Sequence, residues 1–284
     1  RLHTEEEPMK TLFATLIIAG SLFSGTALAQ EAEREITPVK GDVYRFRNVG
    51  HTTVFVVTGD GVVVTDPIDA DAATWLKGEI GKLTDQPINT LVYSHSHGDH
   101  ASGGSVFAAD TVITHENAPE AIDGVVPTTR FSERMQFTQG NKTFELTWLG
   151  PGHGTDLVAM VIRPENVGFV VDAVASKRLF YKDFPGTTAG LWMQQVRAAN
   201  ELDFEILVGG HGPIGVKSDV AAGLAYLEEM QAAVLEGLKA GKSVDELAES
   251  VTMDAYSDWI NYDEWREGNV RGMARYLQES GAVE

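Results

Sequence analysis

The sequence predicts an α/β protein in which two β-sheets pack together with helices outside, and three observations carry that prediction. β-Branched runs and helical patterns alternate in both halves of the chain. Short apolar strands in both halves run directly into His or Asp residues. The C-terminal third reads as helix. With 284 residues, 43% of them hydrophobic, the chain can bury a substantial core.

Val43–Phe46, Thr52–Thr58 and Val62–Thr65 are β-branched runs, and the turn Gly59-Asp60-Gly61 joins the last two as a hairpin. From Asp69 to Leu83 the pattern turns helical, with Ala72, Trp75, Leu76 and Ile80 on one face, Asp69 or Asp71 as the cap, and Pro87 beyond the end. Ile88–Tyr93 and Thr111–Thr114 are short apolar strands. Further strands are expected at Lys142–Leu149, Leu157–Ile162, Val167–Val171 and Glu205–Val208, and a helix at Ala189–Ala199. The last helices are Val220–Leu238, with Leu224, Leu227, Met230, Val234 and Leu238 on one face, then Val244–Val251 and Asp263–Gln278. No low-complexity linker interrupts residues 30–284, which read as a single domain.

The first 29 residues read as an export signal: Met9-Lys10 as a charged start, an apolar run from Leu12 to Phe23, and Ala27-Leu28-Ala29 as a cleavage site before Gln30, with residues 1–8 as an upstream extension. The apolar run is too short to span a bilayer comfortably, so no stable membrane anchor is expected and the mature chain is placed in the periplasm or outside the cell. The 41 Asp and Glu against 22 Lys and Arg argue against nucleic acid as a partner, because phosphate contacts need a basic surface, and favour a small-molecule substrate. The chain has no cysteine, which excludes disulfides and thiolate metal sites and leaves His, Asp and Glu as the available ligands.

Three of the eight histidines fall in His95-Ser96-His97-Gly98-Asp99-His100, just after a buried strand. Imidazole and carboxylate bind zinc at about 2.0–2.2 Å, so ligands from one loop must converge on a small volume. A tight turn at Gly98 can present His95 and His97 to one ion, and Asp99 and His100 to another. His153 and His211 each sit between glycines, which let the backbone bend the imidazole inward.

In these residues the chain resembles the metallo-β-lactamase superfamily. The resemblance runs from Thr65-Asp66-Pro67 through His95–His100, Gly150-Pro151-Gly152-His153-Gly154 and Val171-Asp172 to Gly209-Gly210-His211-Gly212, in the family's order. It implies a four-layer αβ/βα sandwich with a helical C-terminal region and two zinc ions at the rim between the sheets. It also implies His95, His97 and His153 on the first ion and Asp99, His100 and His211 on the second, with Asp172 bridging the two or completing the second site. Asp66 resembles the carboxylate that orients a ligand histidine by accepting its other ring proton, and equally an ordinary turn residue before proline. His115 matches no ligand role and reads as structural. His51 reads as part of a loop from Asn48 to Thr52, which in the family borders the cleft, and it is not marked as a ligand. Trp75 and Trp148 read as core.

Two zinc ions would make hydroxide available near neutral pH, with Asp99 as the catalytic residue that ligates and orients it. The expected reaction is hydrolysis at a carbonyl of a β-lactam, lactone or ester. Lys177 or Arg178 is the candidate cation for a substrate carboxylate. One β-lactamase subclass has cysteine where this chain has Asp172, and another lacks that bridging position, so the ligand set is closer to glyoxalase II and related exported hydrolases. A glyoxalase II-type thioesterase and an iron-dependent sulfur dioxygenase stay open as alternatives.

Overall fold

The structure is a computed structural model that describes residues 33–283, and the expected export segment lies outside them. The first sheet holds β1 (Arg34–Lys40), β2 (Val43–Asn48), β3 (His51–Thr58), β4 (Gly61–Thr65), β5 (Ile88–Val92), β6 (Thr111–His115) and β7 (Thr129–Phe131) in chain order. β1 to β4 pair antiparallel and β4 to β7 parallel. The second sheet contains β8 (Arg134–Gln139), β9 (Lys142–Trp148), β10 (Val158–Arg163), β11 (Val167–Val170), β12 (Ile206–Gly209) and β13 (Gly215–Val216), ordered 13-12-11-10-9-8. Only β11 and β12 run parallel in it.

Parallel neighbours need a crossover, and a helix supplies one in each half. α1 (Ala70–Leu83) links β4 to β5, and α3 (Ala189–Asn200) links β11 to β12. Both crossovers start from side-chain caps, Asp69 and Thr188 accepting from backbone N–H three residues on. α2 (Gly98–Ala101) is one short turn after β5. α4 (Lys217–Lys239), α5 (Val244–Ser250) and α6 (Tyr262–Glu279) complete the chain.

The period-2 alternation of strands decides the layers. Val54, Val56 and Val63 from one sheet meet Phe144, Leu146, Met160 and Phe169 from the other in a core between the sheets. Phe55, Val62 and Val64 face the opposite way and pack on Ala72, Leu76 and Ile80 of α1. The outer face of the second sheet, including Ala159, Val161, Val170 and Leu207, packs against α3, α4 and α6. This is the four-layer αβ/βα sandwich expected from the sequence.

The strands not anticipated are β1, β7, β8 and β13. All are short or lie at sheet edges, with half-exposed, polar-rich sequences such as Arg34-Glu35-Ile36-Thr37-Pro38-Val39-Lys40. Charge and proline at an edge hide the strand signal and discourage pairing with another chain. β3 begins at His51, so the β2–β3 turn is only Val49-Gly50 rather than a loop from Asn48 to Thr52. Among the described residues no helix is long and apolar enough to cross a membrane.

Candidate metal centre

The carboxyl ends of the neighbouring parallel strands β4 and β5, and of β11 and β12, open onto the same rim. Asp66 follows β4, His95 to His100 follow β5, Asp172 follows β11 and His211 follows β12. Side chains beyond the ends of parallel strands escape the sheet and line a crevice. His153 comes from the loop between β9 and β10, and His51 from the start of β3. The two rims are tied together where Thr52 donates from N to Gly210 O at 2.7 Å and from Oγ1 to Gly209 O.

Two groups of donor atoms result, each with its atoms within 4.8 Å of one another: His95, His97 and His153; and His51, Asp99, His100 and His211. Asp172 falls in neither group and touches both. Its Oδ2 lies 3.2 Å from His153 Nε2, 3.8 Å from His95 Nε2 and 3.3 Å from His100 Nε2. Its Oδ1 lies 3.4 Å from His211 Nε2. All the ligand candidates named from the sequence are thus brought together. His51 joins them, with Nε2 3.3 Å from Asp99 Oδ2.

Each imidazole is aimed by what its other nitrogen meets. His211 Nδ1 donates to Gly50 O at 2.8 Å, which turns Nε2 inward. His95 Nδ1 sits 3.0 Å from Ser94 Oγ, and Ser94 donates to Asp66 from Oγ at 2.6 Å and from N at 2.8 Å. Asp66 therefore does not take a ligand ring proton directly. It acts on His95 through Ser94, and its 3.8 Å approach to His100 Nδ1 is beyond a hydrogen bond. His97 Nδ1 and His153 Nε2 face each other at 2.9 Å, a contact that needs a proton or a cation between the lone pairs.

The electrostatics favour a cation here. Burial holds His95 far below the usual histidine range, lowers His97 and pushes His211 down to about 4, so these rings are neutral at pH 7. Neutral imidazole is the form that ligates metals. Burial also acts against charge on His100, but Asp172 outweighs it, with help from Asp66 and Asp99, and lifts this ring to about 9. Asp172 is likewise buried, yet the surrounding histidines keep its carboxyl far below the carboxylate range. Burial raises Asp66 to about 6. His95 Nε2, both ring nitrogens of His100 and Asp172 Oδ1 are buried with no hydrogen-bond partner. Orphaned polar atoms are rare in native proteins; apart from His100 Nδ1, which faces Asp66, these atoms gather around the Asp172 carboxylate, so the donor set fits a dinuclear metal centre of nitrogen and oxygen ligands.

Backbone geometry supports the convergence. Asp172 adopts a left-handed φ of 55°, which costs an L residue about 1–2 kcal/mol and turns the carboxylate off the end of β11. A Cβ on Gly210 would stand 2.8 Å from both Asp172 Oδ1 and His100 Cε1, so only glycine lets this backbone pass.

The centre forms the floor of a cleft of about 440 Å³ walled by Val174, Leu179, Phe180, Tyr181, Pro185 and Trp192. Arg178 lines it too, its guanidinium stacked 4.6 Å over Trp265 of α6, and it forms no ion pair among the described residues. Lys177, the other candidate cation, is exposed and faces Asp258 at 3.8 Å, outside the cleft. His115 is structural as expected: its Nε2 donates to Ser132 O and its Nδ1 accepts from Asn117 N. Trp148 is not core. It lies part-exposed, stacked on His115 at 4.8 Å. Sequence reasoning placed a helix here but singled out neither Gln195 nor Trp192. The readable signal for Gln195 was a polar residue set among Trp192, Val196 and Ala199, all buried.

This fold and rim place the chain in a known structural class. No family model matches the sequence. A metallo-β-lactamase from Pontibacter korlensis superposes with a TM-score of 0.61 at 20% identity, over 69% of this chain and 99% of that one. The stereoselective inverting sec-alkylsulfatase Pisa1 from Pseudomonas superposes with a TM-score of 0.73 at 15% identity, over 86% of this chain and 50% of the sulfatase. The fold is that of the metallo-β-lactamase superfamily. In sequence, the chain is 28% identical over 241 residues to the 2,4-dinitroanisole O-demethylase subunit alpha of Nocardioides sp. strain JS1661, covering 80% of this chain and 73% of that protein.

Proposed function

We propose that this chain is an exported hydrolase with two zinc ions, acting on small molecules that combine an apolar body with an anionic group. The observation that carries this reading is the convergence of the two donor groups on Asp172 at the floor of an apolar cleft. Zinc bound there would lower the pKa of a water toward neutrality and offset negative charge developing on the substrate. Asp99 is half-exposed and hydrogen-bonded to His51, which with His100 keeps its carboxyl ionised, so it can accept a hydrogen bond from the attacking water and orient it. Phe180, Tyr181 and Trp192 hold the apolar body and exclude water. Arg178 supplies the cation that an anionic substituent needs, and its stacking on Trp265 fixes the plane of the fork.

A β-lactam, lactone or ester that bears a carboxylate satisfies this description. The demethylase relative supports a second reading, an aryl methyl ether, because the aromatic wall suits a planar ring. Water that forms a new bond to the ring carbon expels methoxide, which takes up a proton and leaves as methanol with no oxidant, so both readings need an activated water although the carbon attacked differs. The test is metal quantification on the purified mature protein, followed by a turnover panel of β-lactams, lactones, thioesters, phosphodiesters and nitroaryl methyl ethers. About two zinc ions and turnover of one class are expected. A protein that takes up iron and consumes oxygen would overturn the hydrolase reading. Export is checked separately by sequencing the N-terminus of the natural protein, expected near Gln30, and recovery of Met9 there would defeat it.

A further inference from the structure

α3 is the crossover between β11 and β12, yet two of its side chains reach into the loops that carry donor residues. Gln195 is fully buried, and both ends of its amide are used on one loop. Its Oε1 accepts from His153 N at 2.6 Å, and its Nε2 donates to Gly150 O at 2.7 Å. The partners fix the amide orientation, because a backbone N–H must meet the oxygen and a carbonyl must meet the NH2. The fit is close: a Cβ on Gly152 would stand 2.3 Å from Gln195 Oε1, so the loop can reach the helix only with glycine there. One turn earlier, Trp192 packs edge-on against the His153 ring at 4.8 Å and donates from Nε1 to Ala173 O at 2.9 Å, the residue after Asp172. The two side chains are three apart and share one helix face.

We infer that Gln195 is a positioning residue that, with Trp192, fixes where His153 presents its imidazole to the first donor group. The inference rests on the metal-centre reading and goes further, since it puts control of that group on a helix with no donor of its own. A buried glutamine among Trp192, Val196 and Ala199 costs free energy unless hydrogen-bonded, and here both ends of its amide are bonded to the loop that leads into His153. The second donor group has no contact with Gln195, so a change at this residue should separate the two metal positions.

The experiment uses the full chain with zinc and with cobalt as a visible probe. Gln195→Leu keeps the volume and removes both amide bonds. Gly152→Ala disturbs the same contact from the loop side, with the sequence of α3 unchanged. Chelator competition should show the first ion bound about ten- to a hundred-fold more weakly in both variants, the usual effect of losing a ligand's supporting partner, with the second ion unchanged. The cobalt absorption bands of the first position should shift. Thermal unfolding of the metal-free proteins separates this from general destabilisation, which would weaken both ions together and would overturn the inference. If Gln195→Leu does not fold, Gly152→Ala gives the result alone. Wild-type affinities and spectra in the variants would reduce Gln195 to packing. Failure of the wild-type protein to bind any metal would instead remove the metal-centre reading, and the inference with it.

Discussion

His95, His97 and His153 come from two segments of chain, whereas His51, Asp99, His100 and His211 come from three. The first group is all imidazole and is supported from behind, through Ser94 to Asp66 on one side and through α3 on the other. The second group spans from the fully buried His100 to the half-exposed Asp99, whose carboxylate faces solvent. A set of imidazoles braced from behind suits holding an ion, and a set with an open carboxylate edge suits handling the reacting water. The contrast teaches that two neighbouring donor groups that share one carboxylate need not share a task.

The comparison can be broken most directly at Asp172, the residue common to both groups. Asp172→Ala is expected to lose both ions and reduce turnover to background, as read by metal quantification and by rate on the reacting panel substrate. Retention of one full ion would mean that the carboxylate serves a single position. Next in size, Asp99→Asn should lower turnover about 10²–10³-fold, about 3–4 kcal/mol of transition-state stabilisation, under saturating zinc and with little change in thermal unfolding. If the variant keeps more than about a tenth of wild-type turnover, against that expected loss, Asp99 is not the orienting carboxylate.

Arg178→Ala should raise KM about tenfold or more for substrates with an anionic group, with kcat less affected, because a charge-assisted contact of about 1.5–3 kcal/mol is lost from binding. Equal loss for neutral and anionic substrates would assign Arg178 to packing on Trp265 instead. The smallest effect is expected for His51→Ala, since Asp99, His100 and His211 stay in place. The second ion should weaken about tenfold and the first remain as before, as chelator competition would show. Matched weakening of both ions would erase the distinction between the groups.

The motif around His95 to His100 was legible because its donors are adjacent in the chain and follow a plainly apolar strand. His153, Asp172 and His211 were legible only as members of an ordered set of motifs. His51 was not marked as a ligand, since a lone histidine at a hairpin carries no spacing signal and acquires partners only when β3 meets the loop after β12. Edge strands such as β1 and β8 were missed because polar, charged residues at a sheet edge blur the period-2 pattern.

By itself the sequence determined the alternation of strand and helix, the buried faces of α1 and α4, and the presence of a nitrogen- and oxygen-donor site, because local periodicity and residue chemistry suffice for these. The tertiary structure decided that His51 joins Asp99, that Arg178 and not Lys177 faces the cleft, and that Gln195 grips the His153 loop. Those outcomes depend on contacts between residues far apart in the chain, whose distances are set only when the two sheets pack and their rims meet.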